Sequence, residues 1–415
     1  MSFDIRDFGA RADGSLCTAP LQRAIDTCFL QGGGEVCVPE GTWLTGGIRL
    51  RSGVTLRLLK NAVLLGSTDP EDYRGWLEDE VEPISREDRD LCVCSSDYSG
   101  VMGDSAHPCS RWNNGIIRAF RATDVAIVGE EGSEINGQNC FDPLGEEDYR
   151  GPHAINAWFC ENITLKGYTV RDSANWAHAL QVCKNIRVEG ISVYGGHDGF
   201  DVRSCDNVTV EDCRFLTGDD CIAGFDNNSV RVRRCYFESA CSILRFGGND
   251  VLVEDCEGKA PATYAFRGSL SDEEKRNRMP TNGNHRRNCL SVFLYYCDYR
   301  ATVRGTPGNI VFRNCRFYDP DAVMRLPFGH IWCCNRSLAD IRFENCLFDG
   351  ISVPMRLQCP EEEPLSLFMT DCRIRPRAGY EDIPLIRGKN LREVSLLRVD
   401  TAGFTDPKIL TESET

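Results

Sequence analysis

Five phrases between residues 160 and 258 decide the fold: CENITLKGYTV (160–170), CKNIRVEGISV (183–193), CDNVTVEDCRF (205–215), NNSVRVRRCYF (227–237) and NDVLVEDCEG (249–258). Their first apolar residues are Ile163, Ile186, Val208, Val230 and Val251, so the successive intervals are 23, 22, 22 and 21. Within each phrase apolar and polar residues alternate, which is the period of a strand, and Asn, Asp and Gly punctuate the joins. Looser copies follow at 308–317, 339–348 and 365–374, with weaker forms at 53–59 and 124–132. A repeat of this length is the mark of a solenoid whose units bury their apolar sides against one another. The expected fold is all-β, a right-handed parallel β-helix. Equivalent residues of successive coils should stack about 4.8 Å apart.

The cysteines agree with this. Of the 23 in the chain, Cys160, Cys183 and Cys205 open successive phrases, and Cys213, Cys235, Cys256, Cys315, Cys346 and Cys372 close them. Small apolar thiols at repeat positions predict an inward ladder rather than a disulfide framework. Cys92–Val93–Cys94 and Cys333–Cys334 match no common zinc spacing, so neither a metal nor another cofactor is expected. Many free thiols and an opening, MSFDIRDFGA, without an apolar run predict a cytoplasmic protein with no membrane span.

The repeat predicts one elongated domain over 1–415. An amphipathic helix within about 15–35, with Leu21, Ala24, Ile25, Cys28 and Phe29 on one stripe, should cap its N-terminal end. Stretches 70–112, 138–155 and 258–290 break the rhythm and should be loops lining the binding face. A net charge of −15 argues against nucleic acid as a partner. An anionic ligand would need local basic groups to outweigh that field.

Three aspartates stand at the repeat interval, Asp198 in HDGFD and Asp219–Asp220 in TGDDC. Asp198 lies 12 residues after Ile186, and Asp220 lies 12 after Val208, so the two should stack, with Asp219 beside them. Crowded carboxylates shift one another's proton affinity, which lets one act as acid while another acts as base. Aspartates are also common turn residues. By the same count His178, Asp201, Ala223 and Arg245 fall 15 residues into successive coils and should form an adjacent column.

The run DFGARADG…LQRAID…GGGEVCVPEGTWLTGG, then SEINGQN, NWAHALQVCKNIRV and HDGFDVRSCDNVTVEDCRFLTGDDCIA, resembles glycoside hydrolase family 28, the polygalacturonase family. The resemblance covers roughly residues 4–256. It implies inverting hydrolysis of a glycosidic bond in a pectin-type or related oligosaccharide. Asp219 would protonate the leaving oxygen, and Asp198 and Asp220 would activate the water. The chain departs from the family pattern in three places, the first being Gly196–His197 where the family has Asn-Thr before its aspartate. Cys241 stands where the family has the histidine of Gly-His-Gly, and Arg-Ile-Lys has no counterpart. His197 or His178 is expected to replace the histidine, and Arg245 or Arg267 the carboxylate clamp, with Asp201 and Trp176 also on the substrate. A cytoplasmic address and long loops favour an exo-acting enzyme on oligosaccharides. Two other classes stay open: a β-helix lyase, epimerase or transferase, and a carbohydrate-binding relative impaired in catalysis.

Overall fold

The structure, a computed structural model, describes residues 1–73, 111–298, 303–330 and 332–411. The chain winds as a right-handed parallel β-helix. Strands on one face form an eleven-stranded parallel sheet, and those on the other two faces share a 23-stranded one. The two faces merge because Ile222–Arg233 and Ser242–Glu254 run unbroken from one to the other.

Register follows the repeat. Ile163 pairs with Ile186, Ile186 with Val208, Val208 with Val230, and Val230 with Val251. The column continues through Ile310, Ile341 and Leu367. All these side chains are buried, each contributing about 1.5–3 kcal/mol of hydrophobic stabilisation. The cysteine ladder is inward, as its positions predict: every repeat cysteine named above is buried, and all described cysteines are free. The Cys160 and Cys183 backbone N–H groups donate to the next thiol of the ladder, Cys183 Sγ and Cys205 Sγ, at 3.4 Å each, and Asn227 takes the rung above Cys205, its Oδ1 accepting from the Cys205 N–H at 3.0 Å.

The N-terminal helix spans Thr18–Leu30 and lays Leu21, Ala24, Ile25 and Cys28 on the first coil. Phe29 is not on that buried stripe; it is 40% exposed, with Arg51 over its ring. Among the described residues no helix is long and apolar enough to cross a membrane. The 258–290 stretch is a docked insertion with a short helix, Asp272–Arg276, started by a Ser271–Glu274 capping box. Most of the expected 70–112 loop, with Cys92 and Cys94, lies outside the described residues.

Candidate active site

The turn between the eleven-stranded face and the next face carries the aspartates. It joins Ser192–Gly195 to Phe200–Arg203, and one coil later Arg214–Thr217 to Ile222. Phe200 pairs with Ile222, so Asp198 and Asp220 stack and His197 lies under Asp219. The Asp220 backbone N–H donates to Asp198 Oδ1 at 3.0 Å and to Asp219 Oδ1 at 3.2 Å. One coil on, the Ser242 N–H donates to Asp220 Oδ1 at 2.9 Å. Backbone amides thus fix all three carboxyls. Asp198 and Asp220 are buried, whereas Asp219 is half-buried.

Arg245 spans the stacked pair, with Nε 2.7 Å from Asp220 Oδ2 and a terminal nitrogen 3.7 Å from Asp198 Oδ2. Its guanidinium is covered by the rings of Tyr296 and Trp332. Burial pushes the Asp220 carboxyl up to about 7, against the opposing pull of Arg245. Burial, then the neighbouring Asp219 and Asp220, push Asp198 well up too. A proton is therefore retained within this pair near neutrality, and Arg245 favours the ionised form. Cys241 sits with Asp219 and Asp220, all three offering ligand atoms within 4.8 Å of one another. Burial, then the two aspartates, push its thiol well up, so it stays protonated.

These carboxyls open into a cleft of roughly 370 Å³, within the range of small-ligand sites. One wall is the 138–152 loop, which brings Glu146, Glu147 and Arg150; burial pushes Glu146 up to about 7. Phe266 and Leu290 come from the 258–290 insertion, and Arg325, Pro327, His330 and Trp332 from later coils. Both insertions thus reach the face their lengths suggested. Gly196 and Gly218 permit this: a Cβ on Gly218 would collide with the Ala265 carbonyl, and one on Gly196 with Thr281 and Arg267.

Several expected substrate residues lie elsewhere. His178 is inside the solenoid, its Nδ1–H donating to the Gly199 carbonyl at 2.9 Å and its Nε2 accepting from the Tyr168 hydroxyl at 3.0 Å. Burial pushes it down to about 4, so it is neutral and satisfied. The column it was assigned to runs instead through Ala179, Asp201, Ala223 and Arg245. One extra residue in the coil after Ile163 shifts the register and turns His178 inward. Asp201 is buried and held by Arg203 at 3.0 Å; Arg203, not Asp201, reaches the cleft. Arg267 is fully buried, donating to the carbonyls of Ala174 and Asn139 at 2.9 Å each. It locks the insertion to the 138–152 loop and cannot grip a substrate. His197 is buried against the Tyr149 ring and accepts from Arg267 at 3.3 Å, one coil below Asp219 but outside the cleft lining. Trp176 does line the cleft, with Arg203 stacked on its ring at 4.4 Å. Arg245 lines it too, but its charge is engaged by the aspartates.

Sequence reasoning missed Arg150, Arg203, Arg325 and Trp332. Arg203 was within reach, two residues after Asp201 in the same strand. Arg325 and Trp332 lie in coils beyond the 258–290 insertion, where the count was lost. Arg325 has no acidic partner among the described residues.

Residues 101–243 match the model for glycosyl hydrolases family 28. An exo-poly-alpha-D-galacturonosidase of Dickeya chrysanthemi is 44% identical over 370 residues, covering 76% of this chain and 60% of its own length. The chain spans about half the length of other curated polygalacturonases it matches. A mannuronan C5-epimerase of Azotobacter vinelandii, AlgE5, is 30% identical over 155 residues, 34% of this chain and 15% of its own. A solved structure, the hyperthermoactive exopolygalacturonase from Thermotoga maritima, shares the fold with a TM-score of 0.68 at 18% identity, covering 99% of this chain and 93% of that one.

Proposed function

The chain belongs to glycosyl hydrolase family 28, and from that membership we propose that it hydrolyses a glycosidic bond in an anionic, pectin-type oligosaccharide, acting from a chain end. The observation that carries this reading is the convergence of Asp198, Asp219 and Asp220 on one cleft wall, held by backbone amides and by Arg245. Asp219, the carboxyl most open to the cleft, protonates the leaving oxygen. Asp198 and Asp220 hold a water and take its proton as it attacks the anomeric carbon, with Arg245 favouring their ionised state. Four arginines line the cleft of a chain with net charge −15: Arg150, Arg203, Arg245 and Arg325. Arg325, without an acidic partner among the described residues, is the cation best placed for a uronate carboxylate. Exo action is supported by the interlock of the 138–152 loop with the 258–290 insertion through Arg267, which walls the cleft on its N-terminal side. The reduced thiols suit a cytoplasmic site of action on short saccharides.

One observation favours a second reading. Oxygens of Asp219 and Asp220 lie within 4.8 Å, closer than the 6.5–9.5 Å usual for inversion, a spacing that suits a covalent, retaining route. The family membership favours inversion. Proton NMR of the first-formed anomer separates the two: an inverted product is expected, and a retained one overturns the water-activating role. Asp219→Asn should lower turnover of galacturonides by about 10²–10⁴-fold. Unchanged turnover would remove the acid assignment, and epimerised or unsaturated products would move the chain to another chemistry.

A further inference from the structure

The outward column that contains Arg245 does not end in the cleft. Parallel register carries it through Leu294, Arg325, Arg356 and Arg387. Three arginines therefore stand directly over one another on consecutive coils. At one coil per ~4.8 Å, the column from Arg245 to Arg387 is about 19 Å long.

Like charges in direct register repel. On the neighbouring face the chain avoids this: Glu211, Arg233, Glu254, Arg313 and Glu344 stack with strictly alternating sign. Each arginine there meets the acids above and below it at 2.8–3.8 Å. The chain holds 62 acidic residues against 47 basic ones, so acids are not scarce. Yet none of Arg325, Arg356 and Arg387 meets a carboxylate at ion-pair distance among the described residues. Arg356 and Arg387 are exposed and, with Pro354, Ile383 and Pro384, line a groove of about 340 Å³ next to the cleft on its C-terminal side. A solvated patch would account for one such arginine. A column of three, uncompensated and set in a groove with an apolar wall, has the features of a ligand surface.

We propose that Arg325, Arg356 and Arg387 form a docking track for the part of an anionic oligosaccharide that extends beyond the catalytic cleft. Each guanidinium can grip a carboxylate through two parallel hydrogen bonds, and the prolines and Ile383 offer an apolar surface to sugar rings. A uronide carries one carboxylate per ring, so a chain lying along the column offers carboxylates to its guanidinium groups. Arg325 belongs to both cleft and track and joins them. The link to turnover rests on the hydrolase reading above; the affinity for a polyuronate does not.

The test compares the wild type with Arg356→Ala/Arg387→Ala on a galacturonate dimer and on a long oligogalacturonide. The ratio of kcat/KM for the long substrate over the dimer should fall about tenfold, and the wild-type ratio should shrink as salt rises. Arg356→Lys/Arg387→Lys should keep part of the preference, because charge remains without the bidentate fork. An unaltered ratio in the alanine variant overturns the track. If the wild type cleaves no galacturonide, the hydrolase reading fails separately. The track is then read by native electrophoresis through gels containing polygalacturonate, alginate or neutral dextran. Retardation by a polyuronate that the double alanine variant loses supports the track, and equal migration of both proteins overturns it.

Discussion

Two turns of this β-helix use the same small polar side chains at the same period for opposite ends. At the first, Asn162, Asn185 and Asn207 adopt φ of 58°, 56° and 57° and stack in the open. Asn185 donates to Asn162 and Asn207 to Asn185, each at 3.0 Å. The backbone there needs the left-handed region, which Asn tolerates better than most residues. At the second, Asp198, Asp219 and Asp220 have no positive φ. Their backbone would accept many other residues, and two of the carboxyls are buried at an energetic cost. A polar residue that the turn requires is explained by the turn. A buried carboxyl that the turn does not require calls for chemistry.

That contrast can be broken most forcefully at Arg245. Removing it as Arg245→Ala leaves Asp198 and Asp220 buried without their cation, which should cost about 3–5 kcal/mol of stability. Folding raises the Asp220 pKa, so ionisation of this group opposes folding as pH rises through about 7. The variant's deficit, followed by denaturant unfolding, should therefore be larger above that pH than below it. Without Arg245 the Asp220 carboxyl moves further up, and the acid limb of the pH–rate profile should shift to higher pH. A profile that does not move would show that Asp220 is not the titrating base.

A smaller effect is expected at Gly218. Gly218→Ala places a methyl against the Ala265 carbonyl and should cost about 1–3 kcal/mol while lowering turnover, because the insertion must shift beside Asp219. If thermal melting and kinetics both matched the wild type, the insertion would not be seated on this turn. The smallest effect sharpens the other side of the comparison. Asn185→Ala should lose about 1 kcal/mol by forcing alanine into the left-handed region, and Asn185→Gly should lose less. Both should keep wild-type kcat, as an exposed turn ladder far from the cleft implies.

The period made the coil register legible, and with it the cysteine ladder and the stacking of Asp198 on Asp220. It worked because a strand repeat transmits position without error as long as each coil has the same length. It failed at His178, where one additional residue between Ile163 and Ile186 exchanged inside for outside. It also failed across the 258–290 insertion, beyond which Arg325 and Trp332 form the far wall.

By itself the sequence determined the coil, its apolar interior, and the three carboxyls at one turn, because these follow from local alternation and a fixed repeat. The tertiary structure alone decided which charges act together. Arg267 was a free cation on paper, yet it is spent on carbonyls 93 and 128 positions away. Arg245 meets two aspartates rather than a substrate, while Arg325, Arg356 and Arg387 align without partners. Charge pairing depends on distance and burial in three dimensions, and a repeat interrupted by long insertions does not carry those distances along the chain.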